Sequence, residues 1–352
     1  MTSGVSFFSS FFAALESFTA PSTIALLVLA IAALIDYIIG DPWGWPHPVR
    51  VMGWAIACYQ KIVFRYLKSP LGERVAGVIL GLGLVAGSGW VGWAIAAGTT
   101  WIHAGLGVAV QSILLASCFA GRSLRSAAED VMQPLSNGDL VQARTQLSFY
   151  VGRDTENLSE LEVLRAVLET VTENATDGVM APLFYALLGA ALPGVGVVPL
   201  AIAYKAASTL DSMVGYREAP YTHLGWFSAQ MEDRLTWLPC RLVVLTLALL
   251  SRKPGYVWRI CRRDAIADAS PNSGWSECAY AAVLGVQVGG INWYRGVAKP
   301  KPLLGEPIHA TTPERIYQAL QLTRISFLLW LGLGIFSLSL WSGIVFSRGQ
   351  LP

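Results

Sequence analysis

Between Arg74 and Arg122 the chain carries no Lys, Arg, Asp or Glu. A helix that crosses a bilayer needs about 20 mostly apolar residues. The run therefore predicts two spanning helices, joined by a short turn near Gly98 to His103. Three more uncharged runs make the same demand: Ser17 to Ile35, Gly178 to Tyr204 and Ile325 to Ser347. Bulk chemistry agrees, since 14% of the 352 residues are charged against about 25% in an ordinary soluble domain. The expected fold is an all-α polytopic integral membrane protein with about four spanning helices, one or two re-entrant or interfacial helices, and a cytosolic helical region.

Lys and Arg near the apolar runs set orientation, because cytoplasmic flanks retain positive charge. Residues 1 to 35 carry none, whereas Arg50, Lys61, Arg65, Lys68 and Arg74 follow the first run. That run lacks a preceding basic residue and a small-residue cleavage site, so it reads as a retained anchor. The N-terminus is expected outside, and residues 122 to 177 form a cytosolic insertion in a single membrane-embedded domain. A full crossing by 178 to 204 would export Lys205, Asp211 and Arg217. Its centre, Leu192-Pro-Gly-Val-Gly-Val-Val-Pro199, is rich in helix breakers. A re-entrant hairpin over about 178 to 204 is the consistent reading. Residues 235 to 250, interrupted by Pro239 and Arg241, are expected to be interfacial or half-buried.

The net charge of +2 comes from basic residues spread along the chain, a pattern that argues against a nucleic-acid partner. Five cysteines without CxxC spacing support neither a disulfide framework nor a zinc site and are expected to be buried fillers. The GxGxxxG from Gly81 to Gly87 lies inside the long uncharged run, where glycines let helices approach closely.

Polar chemistry concentrates in a few blocks. Gly152-Arg-Asp-Thr-Glu-Asn157 is followed by Glu169-Thr-Val-Thr-Glu-Asn-Ala-Thr-Asp-Gly178, five carboxylates and one Arg with no Lys among them. Leu158, Leu161, Leu164, Leu168 and Val171 recur at helical spacing, which places Glu162, Glu169 and Glu173 on the opposite face with Asp177 continuing their line. Like charges four apart repel by a few tenths of a kcal/mol, and a divalent cation would offset this. Oxygen-only ligands favour magnesium; the alternative is a solvated helix face. The segment Asp36 to Arg50 carries Pro42, Pro46 and Pro48, which hold Asp41, His47 and Arg50 in defined directions; a capping Asp with interfacial aromatics is the simpler account. Tyr204 to Arg217 brings Lys205, Asp211 and Arg217, suited to phosphate or carboxylate binding or to positive-inside anchoring. Ser270-Pro-Asn-Ser-Gly274 is a turn opening a small-residue helix, where Asn272 and Ser273 would meet an anion at unpaired N–H groups.

These blocks, with Pro46-His-Pro-Val-Arg50 and Gly285-Val-Gln-Val-Gly-Gly290, together resemble the CbiB/CobD family of membrane adenosylcobinamide-phosphate synthases of cobalamin biosynthesis. The likeness spans about residues 36 to 296, in order. The resemblance implies an amide ligation joining adenosylcobyric acid to an amino-alcohol such as (R)-1-aminopropan-2-ol phosphate, with ATP as co-substrate and magnesium. On that reading Glu169, Glu173, Asp177 and Asp154 hold the metal. Arg153, Lys205, Arg217, Arg50, Asn272 and Ser273 bind phosphate or substrate, His47 or Asp41 accepts the amine proton, and Asp211 joins the catalytic set. Trp43, Trp45, the re-entrant hairpin and the 285 to 290 stretch would line the corrin space. The protein is expected in the cytoplasmic (inner) membrane with its site facing the cytosol, as a homo-oligomer or with other cobalamin-pathway enzymes. Two rival classes are a non-catalytic AmpE-like membrane sensor and a transporter.

Overall fold

The structure, a computed structural model, describes residues 21–40 and 47–349. Asp41, Trp43 and Trp45 lie outside the described residues. Thirteen helices and one hairpin follow in order among the described residues: α1 Pro21–Ile38, α2 Pro48–Tyr66, α3 Pro70–Ile102, α4 Ala104–Ala116, α5 Gly121–Ser136, α6 Leu140–Leu147, α7 Glu160–Asn174, α8 Ala181–Ala191, α9 Val197–Val214, α10 Trp226–Leu250, α11 Pro254–Asp264, α12 Ser273–Leu284, β1 Gln287–Tyr294, β2 Val297–Gly305 and α13 Pro313–Gly349. A π-helical segment, Ala175–Met180, joins α7 to α8.

Among the described residues, three stretches are long and apolar enough to cross a bilayer, Pro70–Ile102, Ala104–Ser136 and Pro313–Trp341, with Thr23–Ile38 a shorter apolar helix. These correspond to three of the four uncharged runs; 178–204 is not among them. Their outward faces are apolar, as lipid contact requires: Trp90, Trp101, Leu333 and Phe336 are all exposed. The turn of the first pair falls at His103, whose side chain accepts from Gly105 N at 3.1 Å and so caps α4. Four cysteines are buried and Cys58 is half-buried.

The chain divides into two compact units. The first comprises Met1–Phe119, Pro182–Phe227 and Leu329–Pro352; the second comprises Ala120–Ala181 and Ser228–Leu328. In the first unit α9 packs on α3, α2 and α4, and α1 packs on α4. The close approach of α3 to α9 does not use the whole predicted glycine motif. A methyl group at Gly83 or Gly87 would meet nothing within 4 Å, whereas one at Gly89 would lie 3.3 Å from Pro199 O. The contact is displaced one turn along the helix, to Gly89 and Gly92.

The helix break at 192–196 is present, with Gly194 and Gly196 at positive φ and Gly196 N donating to Gly189 O at 3.1 Å. Its limbs differ from the expected hairpin. The first continues directly from α7, and the second runs on to Val214, so Lys205 and Asp211 are helical residues. Pro199 is accommodated in the first turn of α9, where no i−4 carbonyl lies in its way. Pro239 likewise fails to interrupt its helix: α10 runs through it, with Val243, Val244 and Leu247 buried beyond.

In the second unit α5 packs on α6 and α7, α7 on α12, and α11 on α12, while the hairpin lies against α7, α11 and α12. The antiparallel pair β1–β2 is an element the helical reading lacks. It turns at Arg295–Gly296, both at positive φ, the geometry of a two-residue hairpin loop. Lys301 sits in β2 between Pro300 and Pro302, opposite Gly290. Helix α7 starts with a capping box, Ser159 with Glu162. Leu158, Leu164, Leu168 and Val171 are buried as expected, but Leu161 is 65% exposed and Glu169 is 1% exposed. α7 is therefore enclosed on most of its circumference, and Glu169 faces protein.

Candidate functional site

In the second unit three separated stretches meet at the Glu169 carboxylate. Arg153 pairs with Oε2, and Gly289 N donates to Oε1 at 2.8 Å. Arg153 Nη1 also donates to Asn292 Oδ1 at 2.8 Å. Arg165, on the same helix, donates to Gly289 O and Ile291 O of β1. A side chain at Gly290 would take the place of the Arg165 guanidinium, since its Cβ would lie 2.5 Å from Nη1. Gly289 and Gly290 thus admit Glu169 and Arg165 of α7 to β1, and Gly285 is the left-handed cap of α12.

Beneath the hairpin Lys301 Nζ reaches both oxygens of Glu277, at 2.7 and 2.8 Å. Glu277 has no exposed side-chain surface. Burial pushes its carboxyl well above the usual carboxylate range; Lys301 opposes this, while Glu173 and Glu169 reinforce it. Glu173, one turn beyond Glu169, is also raised, first by burial and then by Asp268 and Glu169, against Lys301 and Arg153. Glu169 goes the other way. Burial alone would raise it, but Arg153, Lys301 and the hydrogen bonds from Arg153 and Gly289 hold it below the usual range. Burial would likewise lower Lys301, yet Glu277 and Glu169 raise it.

The expected metal ligands are not assembled as a group. Among the described residues no three His, Cys, Asp or Glu side chains are placed to hold a metal ion together. Asp154 instead caps the hairpin turn, accepting from Arg295 N at 2.9 Å and Gly296 N at 2.7 Å, and Glu169 is engaged by Arg153 and Gly289. Glu173 and Asp177 remain half-buried, Asp177 in the π-helical segment. Such segments are frequent at functional sites. This one is tied to α12 by Thr176 Oγ1 against Ser276 Oγ at 2.7 Å. Two carboxylates suit magnesium, which usually takes one or two from the protein and completes its shell with phosphate oxygens and water.

Asn272 is 2% exposed. Its side chain accepts from Arg241 at 3.0 Å and donates to Asp233 O at 2.8 Å, fastening the start of α12 to α10. Ser273 N donates to Ser270 Oγ at 3.2 Å. The proposed anion seat at this helix start is therefore largely satisfied from within. Arg241 is in turn stacked on Trp237 and Trp275.

The other predicted residues lie in the first unit. His47 caps α2, its Nδ1 accepting from Val49 N at 3.3 Å, and Arg50 is exposed on the first turn. Lys205 and Asp211 are half-buried on α9, and Arg217 is exposed beyond it. The Asp211 carboxylate folds over Gly215, where an added Cβ would lie 1.9 Å from Oδ1. Lys301, Glu277, Arg165 and Asn292 were not singled out from sequence. The available signal was the hairpin itself, Trp293-Tyr-Arg-Gly-Val297, a two-residue loop with Gly flanked by strand formers.

Fold and site together define a helical integral membrane protein with a buried charged cluster under a β-hairpin. Residues 29–323 match the family model described as CobD/Cbib protein, and the chain belongs to the CobD/CbiB family of cobalamin biosynthesis proteins. It is 53% identical over 312 residues to a cobalamin biosynthesis protein CobD of Synechocystis sp., covering 89% of this chain and 91% of the relative. It is 44% identical to a cobalamin biosynthesis protein CbiB of Salmonella arizonae, over 80% of this chain and 87% of the relative. A cobalamin biosynthesis protein CobD of Geobacter metallireducens is 43% identical, over 80% and 86%. No solved structure matches.

Proposed function

We propose that this protein is an amide-forming ligase, joining adenosylcobyric acid to (R)-1-aminopropan-2-ol phosphate or a similar amino-alcohol to give adenosylcobinamide phosphate. The observation that carries the reading is convergence. Gly152–Thr155, Glu169–Asp177 and Gly285–Gly290, far apart in sequence, meet around one buried carboxylate in a chain of a cobalamin biosynthesis family. Amide formation from a carboxylate is uphill at neutral pH, so the substrate carboxylate first attacks the γ-phosphorus of ATP and ADP leaves. The amine nitrogen then attacks the acyl carbon of the mixed anhydride, inorganic phosphate departs, and the amine proton passes to a base.

His47, at the start of α2, and Asp41 are the candidates for that base. Within the first unit Lys205 and Arg217 carry charge suited to phosphate, and within the second Arg153 and Glu169 hold the cluster in shape. Magnesium, bound through Glu173 and Asp177, would supply charge neutralisation on the phosphates. We place the protein in the cytoplasmic membrane with this chemistry on the cytosolic side, the side to which the Lys and Arg bias assigns residues 122–177.

The test is purified protein with adenosylcobyric acid, aminopropanol phosphate, ATP and magnesium, with the amide sought by mass. Product dependent on all four components is expected. No product under any condition would remove the ligase reading and reopen the sensor and transporter alternatives. Cysteine-accessibility labelling near residue 230 checks the topology, with labelling from the cytosolic side expected.

A further inference from the structure

A second feature of the Ser228–Leu328 unit is a cleft of about 470 Å³, bounded by α11, the C-terminal end of α12 and the segment leading into α13. Its volume falls within the roughly 300–1,000 Å³ of small-molecule sites. The charge around it is lopsided. Lys253, His309 and Arg315 line the cleft, and Glu306 is the carboxylate among the lining residues. Glu306 is already compensated, accepting from Tyr256 Oη and Arg263 Nη1 at 3.0 Å each.

Lys253 and Arg315 are not compensated in this way. Lys253 is exposed, and its hydrogen bonds among the described residues come from its backbone. His309 is anchored by its backbone N to Gly285 O at 2.8 Å. Arg315 gives one N–H to Gln318 Oε1 at 2.9 Å, which leaves most of its five donors. Leu284 and Ile308 add apolar wall.

We propose that this cleft binds a phosphorylated solute, with Lys253, Arg315 and His309 on the phosphate and the apolar wall against the remainder of the molecule. Guanidinium and ammonium groups converging on a concave surface are the chemistry that recognises a phosphate ester. The same chemistry would take a phospholipid headgroup, so the source of the phosphate is what the experiment must separate. The site is distinct from the Glu169 cluster: Ala282 lies roughly 7 Å further along α12 than Glu277. The inference does not need the ligase reading, because binding is measured without turnover.

The experiment is calorimetric titration of the full chain with pyrophosphate and with glycerol phosphate, in phosphatidylcholine nanodiscs and in nanodiscs that also contain phosphatidic acid. Saturable binding is expected, weakened about tenfold or more by Lys253→Gln or Arg315→Gln, as for a lost charge-assisted hydrogen bond. Arg262→Gln, exposed on α11 and outside the cleft, should bind as the parent does. Thermal unfolding of each variant shows whether the fold is kept, and Lys253→Arg, which keeps the charge, should restore most of the affinity. Undiminished soluble-ester binding in phosphatidic acid nanodiscs assigns the cleft to a solute. Competition by the lipid assigns it to a headgroup and overturns the solute assignment. No phosphate-dependent binding, or equal binding by parent and Gln variants, overturns the site altogether.

Discussion

The charges around Glu169 and those along α9 meet their surroundings in opposite ways. Glu169, Glu277, Arg153 and Lys301 are enclosed and matched partner to partner across α7, α12 and the hairpin. Lys205 and Asp211 are half-buried on a single helix, and Arg217 is exposed. Enclosed charge is costly unless paired, and removing one partner strands the other, so the first group holds its unit in one arrangement. A charge with access to solvent loses little when it changes partner. Side chains of that kind suit contact with a substrate.

The sharpest way to break this contrast is Glu169→Ala, which strands Arg153. Destabilisation of about 3–5 kcal/mol is expected in denaturant unfolding, and a loss below 1 kcal/mol would refute the structural role. Lys301→Met should cost less, about 1–3 kcal/mol, because Glu277 can respond by holding a proton. Unfolding of the two variants side by side checks the order. Arg217→Ala should leave stability within about 0.5 kcal/mol while lowering ligation rate about tenfold or more, as loss of a charge on developing phosphate would. A normal rate would remove Arg217 from the site.

The smallest effect is on pH dependence. Glu277 is raised in the folded chain by burial, so the folded state binds its proton more tightly than the unfolded state. Its contribution is complete below the ordinary carboxylate pKa and declines as pH rises toward the folded value. Glu169 is lowered, and its contribution is present above the ordinary pKa and lost as pH falls through the folded value. Stability against pH should therefore lose its decline on the alkaline side in Glu277→Gln and keep its acid limb.

The spanning helices were legible because an uncharged run has few alternatives in a bilayer, and His103 and the glycines at 194 and 196 mark turns by their own chemistry. The cluster was half legible. Glu169 and Arg153 stood out as polar residues in an apolar chain, yet Glu169 reads as a solvated or metal-binding group until the hairpin that covers it is known. That hairpin was hidden because Gly289-Gly290 and Pro300-Lys-Pro302 look like breakers, whereas here the glycines admit Glu169 and Arg165 to β1. The pairing of Lys301 with Glu277 is a tertiary fact with no local signature. Pro239 failed as a stop signal because packing along α10 outweighs one missing N–H.

Pro300 and Pro302 carry a consequence beyond the charge they flank. Neither can donate to an additional β-strand, and a ribbon edge without those donors is a poor template for another chain. The β2 edge of the ribbon is thereby a poor site for lateral association, while Lys301 between them stays committed to its own fold.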